Sequence, residues 1–317
     1  MPGVPPTRFV YLGPEGTFAE QALRAFPAAD RGVRTPAPSV PDALDAVRNG
    51  DADAALVPLE NSVGGGVDVT LDELAAGDPL TITRELRLPV RFVLAARVRV
   101  DLATIATVAA HPQAAAQCRR WLRERLPGAT VVDALSNAAA AIAVAGGECD
   151  AALCAPAGVG RNRLQALADD IADREDAVTR FVLVTRPAAP PPPTGDDVTS
   201  LAVYLAPDRV GALSGVLTEL AVRGVNLSRV ESRPTGEGLG RYVFFLDCVG
   251  HVADAAVGEA LQGLRRVCFD LRFLGSYPRH RLLGDIDERP LRATRDGAAE
   301  YAESAAWLAR VRAGQAR

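Results

Sequence analysis

Five of the seven residues from Pro187 to Pro193 are proline. Proline fixes φ and offers no backbone donor, so this stretch fits neither a helix interior nor a central strand and reads as a semi-rigid spacer. A core therefore has to be built on each side of it. The 317 residues suffice for about two or three domains at ~100–150 residues each. We place a first domain at residues 1–186, the spacer at 187–197, a second domain at 198–279 and a partly helical extension at 280–317.

Ahead of the spacer, apolar strands alternate with capped helices, the pattern of a parallel α/β sheet covered on both faces. The central stretch is Ala54 to Val67. Its apolar start (Ala54, Ala55, Leu56, Val57) suits a buried strand, and Pro58 is expected to end it. Beyond it come Glu60, Asn61 and Ser62, then Gly64, Gly65 and Gly66, where a ligand would sit at the carboxyl end of the sheet. The same letters also fit an ordinary strand exit with a flexible loop. Thr7 to Leu12 is a first strand. Thr17 and Glu20 form a capping box whose helix N-terminus, with Gly16, would attract an anion. Ser39 with Asp42 and Thr70 with Glu73 repeat that box.

Further strands are expected at 91–98, 104–109, 129–135 and 151–154. His111 is placed to cap a helix begun by Pro112, and Gln113 and Gln117 share one helical face. Ser136-Asn137 opens an alanine-rich helix. The acidic stretch 169–178 is a surface turn leading into a strand, Thr179 to Val184, with a hydroxyl and the Arg180 guanidinium at its entrance. Beside a cleft, that planar fork would match a carboxylate.

After the spacer the order is β-α-β-β-α-β, the ferredoxin-like split unit. Its first loop holds Asp208, Gly211, Ala212 and Leu213, and its second strand starts at Asn226-Leu227 and runs to Glu231-Ser232. An exposed sheet edge makes pairing with another copy economical. Asp296 to Ala313 can form an amphipathic helix with Tyr301, Ala305 and Leu308 on one side; no chemistry is assigned to it.

The net charge of −4 gives no electrostatic support to a nucleic-acid role. Every basic residue is Arg, which excludes Schiff-base chemistry on a lysine side chain. The five cysteines lack metal-ligand spacing and suit a reducing compartment. The first residues lack the layout of a signal peptide, and no apolar run approaches the ~20 residues of a membrane span. A cytoplasmic protein without metal, cofactor, membrane or nucleic-acid partner is expected.

Taken in order, YLGPEGTFAEQA, ALVPLENSVGGGVDVTLDEL, HPQAAAQC, the Ser136-Asn137 opening and TRFVLV resemble the prephenate dehydratase family, while VGALSGVL, VNLSRVESRP and RYVFFLD resemble the ACT regulatory module. The resemblance covers nearly everything from Thr7 to Tyr277. It implies a bilobal, periplasmic-binding-protein-like catalytic domain of two α/β lobes with a cleft, the second lobe at roughly 88–175, followed by a ferredoxin-like ACT domain. It also implies a homodimer or homotetramer.

By that resemblance Thr179 is the key catalytic hydroxyl, and Glu60, Asn61, Ser62 and Gln117 line the cleft. Glu60 is expected to relay the proton to the leaving hydroxyl. Arg180 and the helix opening at Gly16-Thr17 are expected to hold the substrate's side-chain carboxylate, with Phe181 and His111 as further binding residues. Ala110 stands where the family often has Ser, so no hydroxyl is supplied there. The ACT module implies phenylalanine as effector at Gly211, Ala212, Leu213, Asn226, Leu227, Glu231 and Ser232, where two modules meet. Arogenate dehydratase chemistry and a non-catalytic amino-acid sensor are the competing readings.

Overall fold

The computed structural model describes residues 6–174, 176–205, 210–236, 241–282 and 306–315. The chain groups into two units, one comprising Met1–Pro192 with Arg272–His280, the other Pro193–Leu271 with Arg281–Arg317.

The first unit holds two lobes, each an open sheet with helices against it. The first lobe runs β1 (Arg8–Leu12), α1 (Phe18–Arg24), α2 (Pro27–Asp30), β2 (Val33–Ala37), α3 (Val40–Arg48), β3 (Ala54–Asn61), β4 (Gly65–Gly66), α4 (Asp68–Ala75) and β5 (Thr81–Pro89). The second runs β6 (Val93–Ala96), β7 (Thr107–Ala110), α5 (Pro112–Gln117), α6 (Arg119–Arg125), β8 (Thr130–Asp133), α7 (Asn137–Gly146), β9 (Ala151–Cys154), α8 (Pro156–Arg161) and β10 (Gln165–Ala168). The chain then returns as β11 (Val178–Thr185) between β3 and β5. The sheet orders are β2-β1-β3-β11-β5 and β10-β6-β9-β7-β8.

The expectation of parallel sheets is only half right. β1 is parallel to β2 and β3, and β7 to β8 and β9, but β11 runs antiparallel to β3 and β5, and β6 antiparallel to β9 and β10. The chain leaves for the second lobe and returns at the same end of the first sheet, so β11 must run against its neighbours. Four strands escaped the sequence reading: β4 is two glycines in what reads as a loop, and β2, β5 and β10 carry Arg, Thr, Gln or Pro beside apolar residues, which blurs their periodicity.

Pro58 does not end its strand. β3 continues to Asn61, and a register shift against β11 leaves Leu59 as an extra residue between the Pro58↔Phe181 and Glu60↔Arg180 pairs. A bulge is one of the few places where a sheet accepts proline. Thr70 is likewise not a cap. Val67 is the N-cap of α4, and the Thr70 hydroxyl, inside that helix, donates to the Pro58 carbonyl at 2.6 Å.

Ser39 and Ser136 do cap their helices, accepting from the amides of Asp42 and Ala139. Phe9, Tyr11, Leu23, Leu56 and Phe181 fill the first lobe's core beneath α1. In the second lobe α5 and α6 pack on one side of the sheet through Ala114, Cys118 and Leu122, and α7 on the other through Ala140, Ala141 and Val144. Asp173, in the acidic turn, caps α6 by accepting from the amides of Arg120 (2.8 Å) and Trp121 (3.2 Å).

The second unit's elements are β12 (Asp197–Tyr204), α9 (Ala212–Ala221), β13 (Leu227–Pro234), β14 (Tyr242–Val249) and α10 (Ala255–Val267), followed by β15 (Asp270–Pro278). The sheet order β13-β14-β12-β15 is that of the ferredoxin-like split unit. From Arg272 to His280 the chain groups with the first unit, which puts Gly275, Tyr277 and His280 there. Asp208 and most of the expected tail helix, including Tyr301 and Ala305, lie outside the described residues; 306–312 are helical. Among the described residues no helix is long and apolar enough to cross a membrane.

Candidate active site

Thr179 opens β11 opposite Asn61, the last residue of β3. The Asn61 amide is held in one orientation. Its Oδ1 accepts from the backbone amides of Val63 (2.9 Å) and Gly64 (3.0 Å), so its Nδ2 faces Thr179 and donates to Oγ1 at 2.8 Å. With Oγ1 already accepting, the Thr179 hydroxyl has its own proton to give away from Asn61. Thr179 and Asn61 are neighbours on adjacent strands of one lobe.

Successive strand residues project to opposite faces, so Glu60 and Arg180 leave the sheet on the side away from Asn61 and Thr179. There the Arg180 Nη1 lies 3.6 Å from Glu60 Oε2, and its Nε donates to Glu85 Oε2 at 2.6 Å. The Arg180 side chain is 8% exposed and committed to protein partners, which does not suit a clamp on a substrate carboxylate. The Glu60 side chain, expected to relay the proton, is 39% exposed. Ser62 continues the ladder: its amide donates to the Val178 carbonyl, and its Oγ accepts from the Val178 amide. Phe181 is buried in the first lobe's core and has no face left for a ligand.

The helix opening at Gly16-Thr17 is also occupied. The Gly16 amide donates to Glu20 Oε2 at 2.5 Å, and Thr17 Oγ1 donates to the Leu12 carbonyl while accepting from the Glu20 amide. Glu20 in turn meets Arg24 at 2.7 Å and Arg161 at 3.6 Å, and Arg161 also pairs with Glu15. The anion site expected there is filled by the protein's own carboxylate.

This opening is nevertheless where the lobes touch. Gly16, at φ +88°, brings its backbone near Ala138 of α7 and Gly158 of α8, and Phe18 stacks edge-on against Phe92 with centroids 5.6 Å apart. Among the described residues, three side-chain amide oxygens are buried without a hydrogen-bond partner: Gln21 on α1, Gln117 on α5 and Asn137 at the start of α7. Buried polar atoms are rarely left so, and a ligand or ordered water is the usual partner. Of these only Gln117 was singled out from sequence. Gln21 shares a helical face with Thr17, four residues earlier, and Asn137 follows a capping serine, so local roles masked both. His111 acts as a cap, its Nδ1 accepting from the Gln113 amide at 3.3 Å. Burial pushes the Cys118, Cys154 and Cys248 thiols up to about 12, which disfavours the reactive thiolate at these three.

In the second unit Gly211 takes the left-handed conformation at φ +75° and opens α9, whose first turn holds Ala212 and Leu213. Leu227 starts β13, with Asn226 just before it, at the helix's other end, about 15 Å away for ten residues. One copy of the unit therefore does not bring these two sets together. Glu231 pairs with Arg229, and Ser232 lies opposite Phe244 on β14.

Comparison with known proteins agrees with the two-unit arrangement. Residues 9–189 match the family model for prephenate dehydratase, and residues 199–266 that for the ACT domain. A prephenate dehydratase of Amycolatopsis methanolica is 49% identical over 310 residues, covering 98% of this chain and 99% of that one. The crystal structure of prephenate dehydratase in complex with L-Phe from Arthrobacter aurescens has 46% identity and a TM-score of 0.82, covering 96% of this chain and 98% of that one. A structure described as GqqA, a novel type of quorum quenching acylase, has 28% identity and a TM-score of 0.75, over 86% of this chain and 98% of that one.

Proposed function

The chain belongs to the prephenate dehydratase family and carries an ACT domain, and we propose that it converts prephenate to phenylpyruvate in the cytoplasm at the Thr179–Asn61 pair. The ring carboxylate leaves as carbon dioxide, the electron pair of the broken carbon–carbon bond enters the ring, and the ring hydroxyl departs. One proton is taken up and the hydroxyl leaves as water. Aromatisation drives the reaction, so what lowers the barrier is a hydrogen-bond donor at the departing oxygen.

The observation that carries this reading is the locked Asn61 amide. It fixes Thr179 Oγ1 as an acceptor on one side and so aims its proton as a donor on the other. Thr179 is too weak an acid to give up that proton outright, and solvent completes the transfer. The amides of Gln21, Gln117 and Asn137, whose oxygens have no partner, are the groups we assign to the substrate's polar ends; rotated, each presents an N–H to a carboxylate. They replace Gly16, Thr17 and Arg180 in that task. An acylase mechanism would instead require a base beside Thr179, and Asn61, which donates to it, cannot take its proton.

Phenylalanine is assigned to the second unit, with Gly211, Ala212 and Leu213 of one copy and Asn226 and Leu227 of another, a division that requires at least a dimer. Incubating the protein with prephenate at neutral pH, with and without phenylalanine, tests both parts. Phenylpyruvate should accumulate, more slowly when phenylalanine saturates. Turnover of arogenate but not prephenate would move the assignment to the amino substrate, and no turnover of either would leave a sensor.

A further inference from the structure

The proposed chemistry leaves a buried charged cluster behind the donor unexplained. Arg180 follows Thr179 directly and is gripped at three edges. Its Nε donates to Glu85, its Nη2 donates to the Tyr277 phenol oxygen at 3.0 Å, and its Nη1 faces Glu60. The Glu85 side chain is only 1% exposed, and its second oxygen accepts from the His280 amide at 2.8 Å. The His280 Nδ1 accepts from the Arg87 amide at 3.3 Å, tying the segment to β5 a second time. All of these residues belong to the first unit.

The cluster sits at a sensitive place in the sheet. The ladder between β3 and β11 slips by one residue at Leu59, beside Arg180. A bulge weakens the backbone's hold on the residues next to it. On its other side β11 stays in register with β5 from Val178 to Leu183, and the side chain of Arg180, held by Glu85 and Tyr277, adds a further restraint one step from Thr179. Glu85 offsets the buried charge, while Tyr277, a neutral acceptor, sets the direction of the guanidinium plane. Without the phenol oxygen a buried N–H loses its partner, and Arg180 must turn to recover one.

We propose that Tyr277 is a positioning residue for the dehydratase centre: through Arg180 it sets the angle at which Thr179 presents its proton. This rests on the reading of Thr179 as the donor. Tyr277 touches no reacting atom, and its effect should appear in the chemical step rather than in binding, since small misplacements of a catalytic group cost rate steeply.

The test is a double-mutant cycle on the full chain with prephenate as substrate, comparing wild type, Tyr277→Phe, Thr179→Ala and the pair. Tyr277→Phe is expected to lower kcat about 5- to 20-fold with KM changed less than about 2-fold. In the Thr179→Ala background the same change should lower kcat by less than about 2-fold, because there is no longer a donor to aim. Glu85→Gln, which holds Arg180 from the other side, should repeat the pattern and serves in its place if Tyr277→Phe does not fold. Equal losses in both backgrounds would mean a general structural role and overturn the proposal, as would an unchanged kcat in the single variant. If Thr179→Ala itself kept wild-type turnover, the donor reading would fall and this proposal with it; a collapse of Thr179→Ala alone would leave the donor reading standing without Tyr277.

Discussion

A threonine hydroxyl has one proton, so what Thr179 can do depends on what its oxygen already accepts. Asn61 settles that through two backbone amides that hold its own oxygen. Thr179→Ala removes the donor and leaves the surrounding fold intact. We expect kcat to fall ~10²–10³-fold with KM altered only a few-fold, measured by phenylpyruvate formation under saturating prephenate. A loss confined to KM would reduce Thr179 to a binding group. Thr179 and Asn61 were singled out in the sequence by their place in motifs that resemble the family's, each at one end of an apolar run. Their direct contact was not, since it depends on a register across 118 residues. Glu60, Arg180 and Phe181 show the limit of such reading: the letters beside a proposed catalytic residue are the same whether they face a ligand, the back of the sheet or the core.

At the scale of elements, the helices opened by Thr17, Ser39, His111 and Ser136 were found with their caps, the Thr70 box misplaced one, and β2, β5 and β10 were missed because polar residues and proline blur their apolar pattern. β5 is the clearest loss. It carries Thr, Arg and Glu in nine residues, yet Glu85 is buried because Arg180, nearly a hundred residues later, pairs with it. No local signal announces such a partner.

Two devices that hold elements together can be tested. Asp150 accepts from the amides of Ala106 and Thr107 and from the Thr107 hydroxyl, all at 2.9–3.0 Å, joining the starts of β7 and β9. The Thr107 amide, foremost among these donors, holds the Asp150 carboxyl below its ordinary value. A depressed folded-state pKa stabilises above the unfolded value near ~4 and is lost as pH falls through the folded one. Asp150→Asn should therefore lower Tm at neutral pH, and its gap to wild type should close as the pH drops below ~4. Gly275 sits at φ +145°, where an added Cβ would lie 2.2 Å from the Ile82 carbonyl oxygen on β5. Gly275→Ala should cost about 1–3 kcal/mol in denaturant unfolding, and a value near zero would show that β5 yields easily.

Across the whole molecule, the proline run is a divider of sequence more than of structure. The first unit stops at Pro192 and takes up again at Arg272, so it is not finished until the chain has made almost all of the second. What returns is substantial: Arg272 donates to the carbonyls of Leu74 (3.3 Å) and Ala76 (2.8 Å), Gly275 lies against Ile82, Tyr277 reaches Arg180 and His280 reaches Glu85. A chain ending at Pro192 keeps both lobes and every residue assigned to the substrate, yet it uncovers the buried Arg180–Glu85 pair and strips two of its hydrogen bonds. Each lost bond to a charged group is worth about 1.5–3 kcal/mol, a large share of the stability of an ordinary domain. We expect the 1–192 fragment to melt well below the full chain and to turn over prephenate more slowly even where it is folded. Rejoining residues 272–280 to Pro192 through a flexible glycine–serine linker should recover part of both losses, because Leu74, Ala76, Ile82, Glu85 and Arg180, which the segment touches, all lie in the first unit. If the bare fragment matched the full chain in Tm and kcat, the returning segment would be dispensable to the catalytic unit.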